Sequence, residues 1–153
     1  MKKIAIITSV FNGEKYILKT INSVLQNDHI LFDYYILNNG STDDTSKIIN
    51  KFKNYGNIFI IENVKVVPRT RALNQLISKL SKEYQFFTNV DGDDLLEKDW
   101  LIHAYNFMKK YSDISAVSGQ FLLINSQDKI YKKSDIPTYP HTLNKYFSFT
   151  FPI

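Results

Sequence analysis

Asp91-Gly92-Asp93-Asp94 puts three carboxylates into one tight bend. Oxygen donors of this kind suit a hard divalent cation, and a cation held there would bridge the oxygens of a diphosphate. The bend directly follows Phe86-Phe87-Thr88-Asn89-Val90, an apolar stretch that reads as a buried strand. Open α/β sheets hold their ligands at the carboxyl ends of strands, so position gives the cluster its meaning. Asp-Gly alone also favours a plain surface turn. Carboxylates that converge at a sheet edge, however, repel one another unless a cation or hydrogen-bond donors compensate. A helix-loop-helix calcium site is excluded, because it needs Gly at the sixth position and Glu at the twelfth, where this chain has Leu96 and Ile102. An aspartyl phosphatase would carry its acidic pair after the first strand, which here ends in Thr8-Ser9-Val10-Phe11-Asn12.

Other residues with usable chemistry fall at the same predicted edge. Phe11 can stack on a base and Asn39 can hydrogen-bond a base edge, although a core role for Phe11 and a capping role for Asn39 fit equally well. Arg69 and Arg71 open a helix, where a guanidinium meets phosphate or simply faces solvent. His29, His103 and His141 show no metal-ligand spacing. There is no cysteine, so thiol catalysis and thiolate metal sites are excluded. A Gly-rich phosphate loop ending in Lys-Ser/Thr, Gly-x-Gly-x-x-Gly and Gly-x-Ser-x-Gly are all absent, which removes ordinary NTPase, dinucleotide and hydrolase readings. The net charge of +4 is spread without a basic run, which is more often a solvated basic surface than a preference for nucleotide phosphates or an acidic membrane face, and basic residues are not gathered on one face as a nucleic-acid module needs.

These groups need a frame, and the apolar pattern supplies one. Ile4 to Val10, Tyr34 to Leu37, Ile58 to Ile61 and Phe86 to Val90 read as strands buried on both faces. Between them, Ile17, Leu18, Ile21, Val24 and Leu25, then Ile48, Ile49 and Phe52, then Ala72, Leu73, Leu76, Ile77 and Leu80 recur at helical spacing. Asn12 is expected to cap the first helix and Gly56 to stop the second. A fourth helix through Leu101, Ile102, Tyr105 and Met108 precedes an expected strand over 115–124 and a short one over 129–131. Such alternation implies an α/β domain with a mostly parallel sheet, covered by helices on both faces. The start, Met1-Lys2-Lys3 before an apolar run, reads as a first strand and not as a cleaved leader. No stretch of about 18 apolar residues encodes a membrane span. The last stretch, Ser134 to Ile153, with three prolines and the aromatics Tyr139, Tyr146, Phe147, Phe149 and Phe151, is expected to pack on a further segment, a partner or a membrane surface, or to fold back over its own sheet.

Three segments carry a resemblance: Ile6-Ile7-Thr8-Ser9-Val10-Phe11-Asn12-Gly13-Glu14-Lys15-Tyr16-Ile17, Asn38-Asn39-Gly40-Ser41-Thr42-Asp43-Asp44-Thr45 and Val90-Asp91-Gly92-Asp93-Asp94. Their order and spacing resemble the family 2 glycosyltransferases, whose nucleotide-sugar-binding half has the Rossmann-like GT-A fold. The likeness spans about residues 3–125. It implies one domain over 1–153, with a core over 1–125 and a tail over 126–153 leading towards an acceptor-binding part. Among site residues, it implies that Ser9 and Phe11 line a base pocket, Asn39 faces a uracil edge and Arg71 lies near the nucleotide. It further implies that Asp91 reaches the ribose or metal, that Asp93 binds the metal on the diphosphate, and that Asp94 supports the site.

The implied activity is inverting transfer of a sugar from a nucleotide sugar, UDP-linked, to a glycan or lipid-linked acceptor. Mn²⁺ or Mg²⁺ is the implied cofactor, and the implied location is the cytoplasm or the inner face of its membrane, with 134–153 as a contact. The chain departs from the family pattern at Asn38-Asn39, where an Asp-Asp pair is usual; an amide accepts a hydrogen bond from the uracil ring less strongly. It also lacks a recognisable catalytic base, since none of Glu97, Asp99, Asp113, Asp128 and Asp135 sits in a family motif. The alternative is therefore a metal-dependent nucleotide-binding module that transfers nothing.

Overall fold

A computed structural model of the chain describes residues 4–80, 82–119, 122–125, 127 and 129–133. The tail over 134–153, together with Asp128 and Asp135, lies outside the described residues. The chain divides into two compact units, Met1–Asn106 and Phe107–Ile153.

The first unit is built on four parallel strands, β1 (Ile4–Val10), β2 (Phe32–Asn38), β3 (Ile58–Glu62) and β4 (Phe86–Asn89), in the order β3-β2-β1-β4. Helices α1 (Ile17–Leu25), α2 (Thr45–Ile49), α3 (Arg69–Leu80) and α4 (Trp100–Lys110) follow the strands in turn. Alternation along the strands sends side chains to two separate cores, as the period of two requires. Ile4, Ile6, Tyr34 and Ile36 meet Ile17, Ile21 and Val24 of α1, Ile49 of α2 and Leu101 of α4. On the opposite face, Ile7 and Leu37 meet Ala72 and Leu76 of α3, while Ala5 and Tyr35 pack with Leu80 and Tyr84. The parallel sheet with helices on both faces is thus as the apolar runs implied.

Strand order decides where a ligand fits. The chain moves outward from β1 to β2 and β3 with α1 and α2 on one face, then returns past β1 with α3 on the other face to lay down β4. Strand order therefore reverses beside β1, and in sheets of this kind the ligand crevice lies outside the carboxyl ends of the strands at the reversal.

Three local expectations need correction. The helix after β2 ends earlier than Gly56, because α2 gives way to a single 3₁₀ turn over Asn50–Phe52. Asn12 does not cap α1; its φ of 51° turns the chain, and its side chain serves another loop. Finally, of the strand expected over 115–124, the described residues 115–119 are irregular, in keeping with the weak strand preference of Gly119, and Leu122–Ile124 forms β5. β5 does not extend the parallel sheet. It pairs antiparallel with β6 (Ile130–Lys133) in a two-stranded ribbon of the second unit, exposed on both strands. No helix among the described residues is long and apolar enough to cross a membrane.

Candidate functional site

At the strand-order reversal, the ends of β1 and β4 are tied together. Val90 donates its N–H to the Ile7 carbonyl at 3.0 Å. Its own carbonyl accepts from the buried Thr8 hydroxyl at 2.6 Å, and the Tyr34 hydroxyl donates in turn to Thr8 at 2.9 Å. Burial pushes the Tyr34 phenol well above its ordinary value, against a smaller opposing effect of the Thr8 bond, so it remains a donor. The acidic bend therefore starts from an anchored residue. A Cβ on Gly92 would stand 3.0 Å from Val10 Cγ2, so the bend lies directly against the end of β1.

Within the bend the carboxylates differ. Asp91 Oδ1 accepts from Asn89 Nδ2 at 2.6 Å and from Arg69 Nη2. The Arg69 and Asp91 side chains are 54% and 38% exposed, so the pair adds little stability and can open to another anion. The carboxylates of Asp93 and Asp94 are exposed and have no hydrogen-bond partner among the described residues. Partial burial, and then the charges of Asp91 and Asp93, hold the Asp94 carboxyl above the ordinary carboxylate range, with Arg69 opposing. Three acidic groups thus crowd one corner beside the Arg69 guanidinium.

On the other side of β1, the loops after β2 and β3 are bonded to one another. Asn39 N–H donates to the Val10 carbonyl at 2.8 Å. Its buried carboxamide clamps the following loop: Nδ2 donates to the Val67 carbonyl at 2.7 Å, while Oδ1 accepts from Val67 N–H at 3.2 Å and Asn63 Nδ2 at 3.0 Å. Asn38 Nδ2 donates to Glu62 Oε2 at 2.7 Å. Gly40 adopts φ +78°, and a Cβ there would lie 2.8 Å from Val66 N, so only glycine lets this loop close. A second seam joins 12–14 to 41–45. Asn12 Oδ1 accepts from Thr42 N–H at 2.8 Å, Gly13 N–H donates to Thr45 Oγ1 at 2.8 Å and Asp44 N–H donates to Glu14 Oε2 at 3.0 Å.

The structure therefore gathers Ser9, Phe11, Asn39, Asp91, Asp93 and Asp94 at one sheet edge, by the register of β1 with β2 and β4. Phe11 is 51% exposed, which leaves its ring free to stack, whereas Ser9 is half-buried. Asn39 is turned to the loop, with both lone pairs of its carbonyl engaged. Arg71 is exposed on α3 and has no carboxylate partner among the described residues. Arg69 is the guanidinium at the acidic bend, and no local feature of the sequence distinguishes it from Arg71.

The described residues contain no group of three His, Cys, Asp or Glu around a common centre. The donors at the bend are nonetheless all hard oxygens, and two carboxylates are uncommitted. Oxygen donors of this kind suit a hard divalent cation.

The family model described as Glycosyl transferase family 2 matches residues 5–152. Glycosyltransferase GlyA of Streptococcus pneumoniae is 26% identical over 129 residues, covering 84% of this chain and 18% of that protein. Poly(ribitol-phosphate) beta-N-acetylglucosaminyltransferase TarP of Staphylococcus aureus is 33% identical over 118 residues, covering 72% of this chain and 34% of that protein. The crystal structure of S. aureus TarS 1-349 in complex with UDP-GlcNAc superposes with a TM-score of 0.61 at 27% identity, covering 72% of this chain and 32% of that one. The chain spans about a fifth of the length of the first curated relatives it matches, 18% of GlyA and 20% of TarS.

Proposed function

The chain belongs to glycosyl transferase family 2, and on that premise we propose that it is the donor-binding part of a transferase that moves a sugar from a UDP-linked donor to a glycan or lipid-linked acceptor, with inversion. The observation that carries this reading is the pair of uncommitted carboxylates, Asp93 and Asp94, beyond the carboxyl ends of β1 and β4. Binding of UDP-GlcNAc by the structural neighbour TarS supports a uridine nucleotide.

In this reading Phe11 stacks on the base and Ser9 lines the same pocket. Asp93, supported by Asp94 beside it, would hold Mn²⁺ or Mg²⁺, which would supply positive charge to neutralise the departing diphosphate. Arg69 exchanges its exposed bond to Asp91 for a phosphate oxygen, because a charge-assisted bond to a dianion exceeds a solvent-screened pair. Asp91, released, is available to the ribose or the metal, and Arg71 contributes positive potential from α3. Asn39 supports the base pocket through the loop it clamps. For a lipid-linked acceptor, the enzyme works at the inner face of the cytoplasmic membrane, with 134–153 as its contact.

A thermal-shift titration with UDP and Mn²⁺ tests the site. Ligand at 100 times Kd stabilises by about 2.7 kcal/mol, or roughly 5–10 °C for a domain of this size. Asp93→Ala is expected to abolish the metal-dependent part. Metal-dependent stabilisation that survives this change removes Asp93 from the site. UDP release from a panel of UDP-sugars with acceptors then separates a transferase from a module that binds without turnover.

A further inference from the structure

The side of α1 that faces inward is not purely apolar. Besides Ile17, Ile21 and Val24, it buries Thr20 and Ser23, and Asn27 is buried just beyond the helix. A polar group is costly to bury unless it is hydrogen-bonded, so each must be satisfied. All three find partners in one distant stretch of backbone. Thr20 Oγ1 donates to the Gly92 carbonyl at 3.0 Å. Ser23 Oγ accepts from Leu96 N–H at 3.0 Å and donates to the Thr20 carbonyl at 2.8 Å. Asn27 Nδ2 donates to the Glu97 carbonyl at 3.2 Å, and its Oδ1 accepts from Leu101 N–H at 3.1 Å.

The order of these contacts is informative. Spacing of i and i+3 keeps Thr20 and Ser23 on one stripe of the helix, and Asn27 follows just past its end. Their partners advance in the same sense, from Gly92 through Leu96 and Glu97 to Leu101. Between β4 and α4 that stretch forms only turns and irregular backbone. Its own bonds include Asp94 N–H to the Asp91 carbonyl at 3.0 Å and Trp100 N–H to the Glu97 carbonyl at 3.2 Å. The stripe on α1 therefore performs for this stretch what a neighbouring strand performs for a strand. It is also the stretch that carries the carboxylates.

We infer that Thr20, Ser23 and Asn27 are positioning residues that hold the backbone of the Asp91–Asp94 bend, and thereby set how tightly the bend takes a divalent cation together with a diphosphate. The ligand in this statement rests on the proposed function; the placement of the bend does not.

Thr20→Val keeps the side-chain volume and removes the hydroxyl, and Thr20→Ser keeps the hydroxyl. In the full chain without ligand, Thr20→Val is expected to speed amide hydrogen exchange over 92–96 by about tenfold relative to β1 and β2, as loss of one anchoring bond should. Calorimetric affinity for UDP with Mn²⁺ should fall by about tenfold, affinity for UDP in EDTA should change less than about twofold, and Thr20→Ser should restore both. An unchanged exchange profile overturns the inference. So does uniformly faster exchange with equal loss of both affinities, which marks general destabilisation. If the wild type takes no UDP with Mn²⁺, the proposed function fails, while the exchange measurement still decides whether α1 places the bend.

Discussion

The two ends of the parallel sheet treat their acidic groups in opposite ways. Near the amino ends, Asp33 is buried on β2, where it accepts a hydrogen bond from the Tyr84 hydroxyl, and Tyr84 and Tyr35 are themselves hydrogen-bonded at 2.7 Å. Rings close over this carboxylate, with Tyr35 stacked on Phe59 at 4.9 Å and Tyr84 edge-on to Phe87 at 6.2 Å. Burial, and then its bonds to Asp33 and Tyr35, push the Tyr84 phenol well above its ordinary value, so it keeps the proton that it donates to Asp33, and its oxygen accepts from the Tyr35 hydroxyl. At the carboxyl ends, the carboxylates of Asp93 and Asp94 reach solvent without partners among the described residues. A carboxylate satisfied internally contributes to stability, whereas one left open is available to a ligand. Mutations at the two ends should separate these properties.

The largest expected effect lies at the closed end. Tyr84→Phe preserves the ring contacts but takes a donor from the buried Asp33 carboxylate, and loss of a bond to a buried charge costs about 3 kcal/mol. The midpoint of thermal unfolding should fall by roughly 10 °C. UDP affinity, measured below the transition, should stay within about twofold of wild type. Asp93→Ala is its mirror image, with a stability within about 0.5 kcal/mol of wild type in the absence of ligand and the loss of metal-dependent stabilisation already described. If Tyr84→Phe unfolds like wild type, or if Asp93→Ala is severely unstable, the contrast between the ends is wrong.

A smaller effect, mixed in kind, is expected where stability and ligand binding share a residue. Gly40 holds φ +78° and lies against the backbone of Lys65 and Val66. Gly40→Ala adds the left-handed penalty and pushes back the loop that Asn39 clamps, at a cost of about 2 kcal/mol. Unlike Tyr84→Phe, it should also weaken UDP binding, because the displaced loop leads directly into Arg69. Urea unfolding and calorimetry on the one variant check both halves.

The contrast also marks what could be read from sequence. The strands were legible because Ile4 to Val10 and Tyr34 to Leu37 are continuous apolar runs, and the helices because leucine and isoleucine recur at their period. Asp91, Asp93 and Asp94 stood out as a candidate site because they follow such a run. What pattern could not show are partnerships across long separations. Asn12 looks like a cap until Thr42 is beside it, and Asn39 reads equally as a base contact or a cap, with no sign of the bonds its carboxamide makes to Val67. Arg69 and Arg71 are indistinguishable until the start of α3 is set beside Asp91. Thr20 and Ser23 interrupt an apolar helix face for no local reason, and Gly92 and Leu96 supply one. Strand content leading up to Leu122 was overestimated for a related cause, since Leu122–Ile124 finds its partner in β6 and not in the parallel sheet.

The smallest effect concerns pH and separates the open carboxylates from one another. Partial burial and the neighbouring charges of Asp91 and Asp93 raise the Asp94 pKa, so Asp94 takes up its proton at a higher pH than an ordinary carboxylate does. Its protonation removes a negative charge from the bend, so affinity for UDP with Mn²⁺ should decline on acidification, beginning just above the ordinary carboxylate range. The sign for folding is opposite. A raised carboxyl favours the protonated form in the folded chain, so ionised Asp94 costs stability above its folded pKa, and that cost is relieved as pH falls through it. Solvent screening limits the gain at neutral pH from Asp94→Asn to about 0.5 kcal/mol or less. The variant should therefore match or slightly exceed wild type in unfolding midpoint, bind UDP with Mn²⁺ more weakly, and lose the acid-side slope in a calorimetric pH series. A slope unchanged in Asp94→Asn would assign the titration to Asp91 or Asp93, and the open end would then behave as a set of independent carboxylates instead of a coupled one.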